Sequence, residues 1–140
     1  SKGRALQSNK EEIMEKPRVF NVEKCPECSI PKGWGHEIIF ENNEKYCGKL
    51  LVFKKGCKFS MHYHIIKDEA WYVQEGEFLY RWIDTESGEV QEQLLGEGST
   101  VRQLPGQPHQ LEAITEGTIF EVSTQHFDSD SYRVWKGDVL

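Results

Sequence analysis

Short runs of apolar and β-branched residues recur along the chain from Gly35 onward, and turn residues separate them. The runs are "HEIIF", "KLLVF", "AWYVQ", "FLYRWI", "VQEQLL", "TVRQL", "QLEAI" and "TIFEV". The segments between them are rich in Gly, Pro, Asn, Asp and Glu. Strands of this length, interrupted about every eight to twelve residues, are typical of an all-β sandwich or barrel. The pattern therefore predicts a domain built from strands alone.

The run "EFLYRWID" shows how the strands are expected to face the core. Successive side chains of a strand point to opposite faces, so Phe78, Tyr80 and Trp82 share one face. The residues between them, Leu79 and Arg81 among them, are not wholly polar either. This suits a strand that packs on one side and borders a cavity or a partner on the other. Antiparallel strands in this number usually remove their edges by closing into a double-sheet jelly roll or a barrel.

The first part of the chain has a different texture. Ser8 and Glu11 form a capping-box pattern, which predicts a short helix over residues 9–16 that ends at Pro17. The irregular segment "KCPECSIPKGWG" follows. No repeat, linker or low-complexity tract divides the remainder, so we predict an extension over residues 1–32 and one barrel domain over residues 33–140.

Charge and length narrow the function classes. The chain has 140 residues, a formal net charge of -6 and a sequence pI of about 5.4. A nucleic-acid-binding protein normally shows a basic face, so this class is not expected. No apolar run approaches the length of a membrane span, and the first residues do not resemble a signal peptide. We expect a cytoplasmic protein that binds a small molecule and contacts neither nucleic acid nor membrane.

Four cysteines, Cys25, Cys28, Cys47 and Cys57, allow two interpretations. In a secreted chain they would suggest two disulfides, whereas in the cytosol reduced thiols are expected. "CPEC" has the spacing of half a zinc knuckle, but the other two cysteines do not repeat that spacing. Reduced thiols without a structural metal are therefore the expectation.

Candidate metal ligands cluster between two glycines, in "GCKFSMHYHIIKDEAWYVQEG". His62 and His64 are two residues apart, which on a strand directs both imidazoles to one face. Glu69 has the opposite parity, so the chain is expected to turn through "IIKD" and pair back on itself. The loop "LPGQP", stiffened by its prolines, delivers His109 at the start of a later strand. Three imidazoles and a carboxylate suit one divalent ion, Zn, Mn, Ni or Fe.

Each of these residues alone has an ordinary structural explanation. A single histidine at a strand end is usually hydrogen-bonded in or near the core, and Glu69 could pair with Lys67 or Lys54. The combination carries the metal hypothesis, because a barrel could gather all four groups at one place.

The metal motif resembles that of the cupin superfamily. Gly56, His62, His64, Glu69 and Gly76 match the spacing of the first cupin motif. "GSTVRQLPGQPHQLEA" resembles the second motif, although it has one additional residue before its proline and Ala113 in place of the usual asparagine. The resemblance implies a single-domain cupin, a double-stranded β-helix or jelly-roll barrel. It also implies that His62, His64, Glu69 and His109 hold one metal ion.

A longer resemblance extends beyond the metal motif. "KGWGHE", "YCGKLLVFKKG", "KDEAWYVQEGE", "PHQLEA" and "FEVSTQHFDSDSYRV" are similar to the cupin domain of type II phosphomannose isomerases and related sugar-processing cupins. His62 stands where that family has glutamine, Ala70 where it has histidine and Lys67 where it has arginine. No segment of these 140 residues resembles the nucleotidyltransferase half of the bifunctional members. This resemblance implies a metal-dependent, isomerase-like enzyme that acts on a sugar or sugar phosphate.

An aldose-ketose isomerisation needs a group that moves a proton next to the metal. Lys49, Tyr72 and Glu112 are the candidate catalytic residues, although the alternation of side chains puts Glu112 on the face opposite His109. The side chains that could hold a phosphate or carboxylate are those of Lys67, Arg81, Arg102 and Arg133.

Two other functions remain open at this point. The same ligands could hold Fe(II) in a cupin dioxygenase, with Trp71, Phe78, Tyr80 and Trp82 supplying an apolar substrate cavity. The protein could also be a non-catalytic cupin that binds a sugar or another metabolite. Barrels of this kind often pair their edge strands, so a homodimer is expected.

Overall fold

The structure, a computed structural model, describes residues 16–140. The helix expected over residues 9–16 lies, except for Lys16, outside the described residues. Two short 3₁₀ turns, Val22–Lys24 and Pro26–Cys28, precede the first strand. The strands, in chain order, are β1 Ser29–Lys32, β2 Gly35–Asn42, β3 Cys47–Phe53, β4 Met61–Tyr63, β5 Glu69–Glu75, β6 Phe78–Ile83, β7 Val90–Leu95, β8 Thr100–Gln103, β9 His109–Ala113, β10 Gly117–Ser123 and β11 Tyr132–Trp135.

The strands form two antiparallel sheets. One sheet has the order β1-β2-β3-β10-β5-β8, and the other has the order β11-β4-β9-β6-β7. Strands that are distant in sequence are neighbours in both sheets, because the chain passes repeatedly from one sheet to the other. This arrangement confirms the predicted all-β jelly roll.

All eight predicted strand segments coincide with strands of the structure. The short strands β1, β4 and β11 complete the sheets. Strand β1 precedes the predicted domain boundary at residue 33, yet it pairs with β2 through contacts such as Lys32 with Gly35. The boundary itself stays a prediction.

The core lies between the two sheets. Phe78 and Tyr80 of β6 are buried and Trp82 packs against them, as the alternation of this strand predicts. Fully burying side chains of this size contributes about 1.5–3 kcal/mol each to folding. The other members of the core cluster are Trp34, Leu51, Phe53, Phe59, Trp71, Val73, Leu95, Leu111, Ala113 and Ile119.

Gly76 makes the tight connection between β5 and β6 possible. Its φ is +93°, and a Cβ at this position would lie 2.5 Å from the carbonyl oxygen of Glu116. Only glycine fits both the backbone conformation and the close approach of that oxygen.

The expectation of four reduced thiols is wrong for one pair. Cys25 and Cys28 form a disulfide across the second 3₁₀ turn, with their Cα atoms 5.4 Å apart. Their spacing of three residues lets such a turn bring the two sulfurs together. Cys47 and Cys57 are free thiols. Within residues 16–140, the structure has no helix long and apolar enough to cross a membrane.

Candidate metal centre

Three histidines meet at one end of the five-stranded sheet. His62 on β4 lies directly opposite His109 on β9, and His64 follows β4 by one residue. One ring nitrogen from each histidine can be chosen so that all three lie within 4.8 Å of one another. The three residues thus converge in the structure, and their role as metal ligands stays a prediction.

Backbone carbonyl groups fix the orientation of all three imidazoles. In each ring Nδ1 lies within hydrogen-bond distance of a carbonyl oxygen, which selects the neutral form that carries its proton on Nδ1. Nε2 of each ring is then free to act as a ligand. The carbonyl oxygens are those of Ser60 for His62 at 2.8 Å, Asp130 for His64 at 2.5 Å and Gln107 for His109 at 2.8 Å.

Glu69 approaches the histidines from the other sheet. Its Oε2 lies 3.3 Å from Nε2 of His64 and 3.3 Å from Nε2 of His109. Its Oε1 accepts a hydrogen bond of 3.1 Å from Nε1 of Trp71, which fixes the carboxylate. Strands β4 and β5 belong to different sheets, so the expectation that Glu69 pairs back beside the histidines is wrong. Residues 64–68 instead cross the space between the sheets.

The donor set fits a divalent cation. Oε2 of Glu69 and Nε2 of His109 are buried and have no hydrogen-bond partner among the described residues. Two lone pairs that face each other in a buried site repel unless a cation or a proton lies between them. Burial, followed by the neighbouring imidazoles, lowers the pKa of His62 to about 3, so this ring is neutral at pH 7. Burial alone would raise the pKa of Glu69, but His109 and His64 hold it well below its usual range, so the carboxylate is ionised.

Asp130 holds the crossing segment in place. Its carboxylate accepts hydrogen bonds from the backbone N–H groups of Ile65, Ile66 and Lys67, with closest distances of 2.8, 3.1 and 3.0 Å. Burial opposes the charge of Asp130, but these N–H groups outweigh it and lower the pKa of the carboxyl group. The backbone carbonyl oxygen of Asp130 also accepts a hydrogen bond from Nδ1 of His64. One residue therefore positions both a histidine and the loop that leads to Glu69.

A cavity of about 630 Å³ opens over the histidines. Lys49, Lys67 and Glu121 are buried residues of its wall, and Glu37 is half-buried beside them. Nζ of Lys49 lies 3.4 Å from Oε1 of Glu37, and Nζ of Lys67 lies 3.5 Å from Oε2 of Glu121. The wall beside the histidines is therefore charged as well as buried.

Three of the predicted catalytic and substrate-binding residues line this cavity, namely Lys49, Lys67 and Arg133. The other candidates are directed elsewhere. Tyr72 is 48% exposed on β5 and is not part of the cavity wall. Glu112 pairs with Arg81 at 2.8 Å, as expected for a side chain on the face of β9 opposite to that of His109.

Arg81 and Arg102 do not line the cavity, because carboxylates on the outside of the sheets hold them. Arg81 also pairs with Glu92 at 2.8 Å, and Arg102 pairs with Asp68 at 2.7 Å. These contacts keep both guanidinium groups away from a ligand bound at the histidines.

Sequence interpretation gave no site role to Glu121 or Asp130. A signal for Glu121 exists in "TIFEV", where the alternation of β10 places it on the same face as the fully buried Ile119. An acidic residue at a core-facing position needs a partner or a function. Asp130 lies in "FEVSTQHFDSDSYRV", a stretch that resembles the family pattern, but periodicity gives it no signal, because its three N–H partners lie more than sixty positions earlier.

No protein-family model matches the sequence. No curated protein matches it either. Solved structures share its fold. CapF, in a crystal structure with the inhibitor 3-isopropenyl-tropolone, is 20% identical with a TM-score of 0.66, over 74% of this chain and 32% of that one. Oxalate decarboxylase from Bacillus subtilis at pH 4.6 is 18% identical with a TM-score of 0.69, over 85% of this chain and 33% of that one.

A third structure is similar in size. KdgF from Halomonas sp. is 18% identical with a TM-score of 0.58, over 67% of this chain and 81% of that one. At these identities the likeness concerns the fold alone, and the chain spans about a third of the length of CapF and of oxalate decarboxylase. The fold is that of a single-domain cupin jelly roll, and the three histidines suggest that it binds a divalent metal.

Proposed function

We propose that this chain is a metal-dependent cupin enzyme that isomerises a sugar or a sugar phosphate. The observation that carries the proposal is the buried, charged wall of Lys49, Lys67 and Glu121 beside the histidines. Such a wall suits a ligand rich in oxygen atoms, because buried N–H and carboxylate groups need polar partners.

In this proposal His62, His64, Glu69 and His109 hold the metal. Each histidine offers Nε2 and Glu69 offers Oε2, which is oriented by Trp71. A bound divalent ion would polarise the carbonyl of a hydroxy-ketone or aldose and acidify the neighbouring C–H group. Mn(II) is the first ion to test among Zn, Mn, Ni and Fe, because oxalate decarboxylase from Bacillus subtilis has Mn(II) centres.

Lys49 is the one proposed catalytic residue that lies in the cavity. Burial opposes its charge, but Glu121 and Glu37 outweigh this effect and raise its pKa. Lys49 is therefore an ammonium group at neutral pH. It suits the role of a donor that binds a substrate oxygen and returns a proton, and it does not suit the role of the base.

The charged wall also separates the isomerase from the alternative of an Fe(II)-dependent dioxygenase. The aromatic residues considered for an apolar substrate cavity, Phe78 and Tyr80, are packed in the core and do not line the cavity. Trp71 does line it, but its indole N–H is engaged by Glu69. The cavity also has apolar lining, including Trp34, Leu51 and Phe59, so the charged groups beside the histidines favour the isomerase but leave an apolar surface in the same cavity.

The test begins with elemental analysis of protein purified without chelator or an affinity column that carries nickel. The protein is then loaded with Mn(II) and incubated with a panel of sugar phosphates in D₂O. An isomerase exchanges the hydrogen of the carbon next to the carbonyl with solvent, and after the metal is removed NMR shows the loss of that proton signal. His64→Ala should abolish exchange and metal binding while the barrel stays folded.

Glu112→Gln is the matched control, because Glu112 lies on the outer side of β9 and should leave exchange unchanged. Absence of exchange across the panel, together with oxygen uptake by the Fe(II)-loaded protein on aromatic or thiol substrates, would support the dioxygenase instead. Ligand binding without metal or turnover would support a binding protein. The homodimer expected from the sequence stays a prediction, which light scattering can test.

A further inference from the structure

Two lysines and two glutamates share one stretch of the cavity wall beside the histidines. The exposed fractions of the side chains are 4% for Lys49, 3% for Lys67, 4% for Glu121 and 15% for Glu37. We call these four residues the ion-pair wall. Its formal charge is zero when all four groups are ionised, because two ammonium groups face two carboxylates. Burial, followed by the charge of Glu69, raises the pKa of Glu121, and the ammonium groups of Lys49 and Lys67 oppose this rise.

The ion-pair wall has hydrogen-bond donors and acceptors that are not fully satisfied within the described residues. Its two ion pairs are long, at 3.4 and 3.5 Å. Oε2 of Glu121 is buried and lacks a hydrogen-bond partner among the described residues. Each lysine has three N–H donors, and within residues 16–140 those of Lys49 have one hydrogen-bond partner, Oε1 of Glu37 at 3.4 Å.

The second lysine is held in place by a chain of contacts. Nζ of Lys67 lies 2.8 Å from Nδ1 of His126, and Nε2 of His126 lies 2.9 Å from Oδ1 of Asp128. Burial, more than the nearby lysines, lowers the pKa of His126, which favours the neutral ring. A neutral ring that donates from Nε2 to Asp128 accepts at Nδ1 from Lys67. This contact fixes the ammonium group beside Glu121.

We propose that the ion-pair wall is a subsite for un-ionised hydroxyl groups of a polyol and that it discriminates against anions. It depends on the proposed function only in placing the ligand in this cavity. A hydroxyl group can donate to Oε2 of Glu121 and accept from an N–H of Lys49, so it satisfies both. A phosphate or carboxylate can only accept, and it would bring a negative charge next to Glu121 and Glu37.

The subsite also orients a ligand that carries one anionic group. Arg133 lines the same cavity but is exposed, so it offers a solvated cation at the rim. The hydroxyl-bearing carbons then lie against the ion-pair wall, and the anionic end points outward toward Arg133.

The test compares two neutralising substitutions in the zinc-loaded protein. D-Sorbitol is the neutral probe and sulfate is the anionic probe, and NMR titration gives both dissociation constants. Glu121→Gln should weaken sorbitol binding about fivefold, because a charge-assisted hydrogen bond is replaced by a neutral one. It should strengthen sulfate binding at least about tenfold, because a nearby like charge is removed.

Lys49→Gln should also weaken sorbitol binding, but it should weaken sulfate binding as well. The two variants should thus shift the sulfate dissociation constant in opposite directions and the sorbitol dissociation constant in the same direction. This pattern identifies the ion-pair wall as the contact surface, because a general loosening of the fold would weaken the binding of both probes in both variants. Glu112→Gln is the control and should leave both constants unchanged. If Lys49→Gln does not fold, the opposite shifts of the two probes in Glu121→Gln decide alone.

The proposal is overturned if Glu121→Gln shifts both probes in the same direction or shifts neither. Sorbitol binding with the expected shifts but without isomerase activity leaves this inference standing and removes the proposed function. Isomerase activity without the expected shifts does the reverse.

Discussion

Asp130→Ala should destabilise the fold and weaken metal binding by separate amounts that the structure allows us to work out. The wild-type carboxylate accepts three backbone N–H groups of the segment that leads from His64 to Glu69. Alanine removes all three contacts but keeps the backbone carbonyl that receives Nδ1 of His64. The effect on the histidine is therefore indirect, through the position of the loop.

The magnitude depends on which N–H groups water can reach in the variant. Ile65 and Ile66 are 57% and 59% exposed, so their amide groups can bind water after the substitution. Lys67 is 3% exposed, and an unsatisfied buried N–H costs about 1–3 kcal/mol. Adding the loss of two partly solvated contacts, we expect a decrease of about 2–4 kcal/mol in the free energy of unfolding. Loss of a residue that orients a ligand lowers metal affinity by about 10- to 100-fold.

Urea unfolding of the metal-free protein measures the first quantity, and competition with a chelator measures the metal dissociation constant. Asp130→Asn should lose less stability, because its amide oxygen can still accept one or two of the N–H groups. Glu86→Ala is the control, since this exposed side chain lies in the turn between β6 and β7 and is not part of the cavity wall. An Asp130→Ala variant that binds metal with wild-type affinity would refute the argument that the loop positions the site. Wild-type stability would refute the assignment of the three hydrogen bonds.

Three further results are expected. Burial lowers the pKa of His62 to about 3 in the folded protein, so below a pH of about 6.5 the unfolded chain binds a proton that the folded protein does not. The metal-free protein should therefore lose several kcal/mol of stability as the pH falls from about 6.5 toward 3. In urea unfolding, His62→Asn should show a flatter pH dependence. Opening the four-residue loop of the Cys25–Cys28 disulfide with Cys28→Ser should cost at most about 2 kcal/mol, and a larger loss would show that the turn supports more of the fold than its own loop. Gly76→Ala should lower the free energy of unfolding by more than about 2 kcal/mol, of which about 1 comes from the positive φ and the rest from the contact with Glu116. Gly56→Ala should lose only about 1 kcal/mol, because Gly56 has a positive φ but open space around it. Equal losses in the two variants would contradict this reasoning.

Periodicity was sufficient to predict most strands, because their two faces meet different environments. In β6, Phe78 and Tyr80 face the core, whereas Arg81 points to the other face and pairs with Glu112. The short strands were harder. Strand β4 has three residues, and β11 is exposed along its whole length, so neither has an apolar face of the usual length.

The histidines could be predicted from spacing, but the way in which Glu69 reaches them could not. Residues five positions apart look like neighbours on a hairpin, whereas here they belong to opposite sheets. What allows this crossing is the carboxylate of Asp130, which lies more than sixty residues further along the chain. The outward direction of Arg81 and Arg102 likewise depends on long-range partners, Glu112 and Asp68. Long-range contacts of this kind leave no local pattern in a single sequence.

The carbonyl oxygens that receive Nδ1 of the three imidazoles belong to the main chain, and every amino acid carries that atom. Replacement of Ser60 or Gln107 by another residue deletes a side chain but leaves the acceptor where it was. The orientation of the three imidazole rings thus depends on the path of the backbone rather than on the side chains of the residues that supply the carbonyl groups. Substitutions around this centre can therefore change which ligand it accepts without changing the direction in which the three ring nitrogens point.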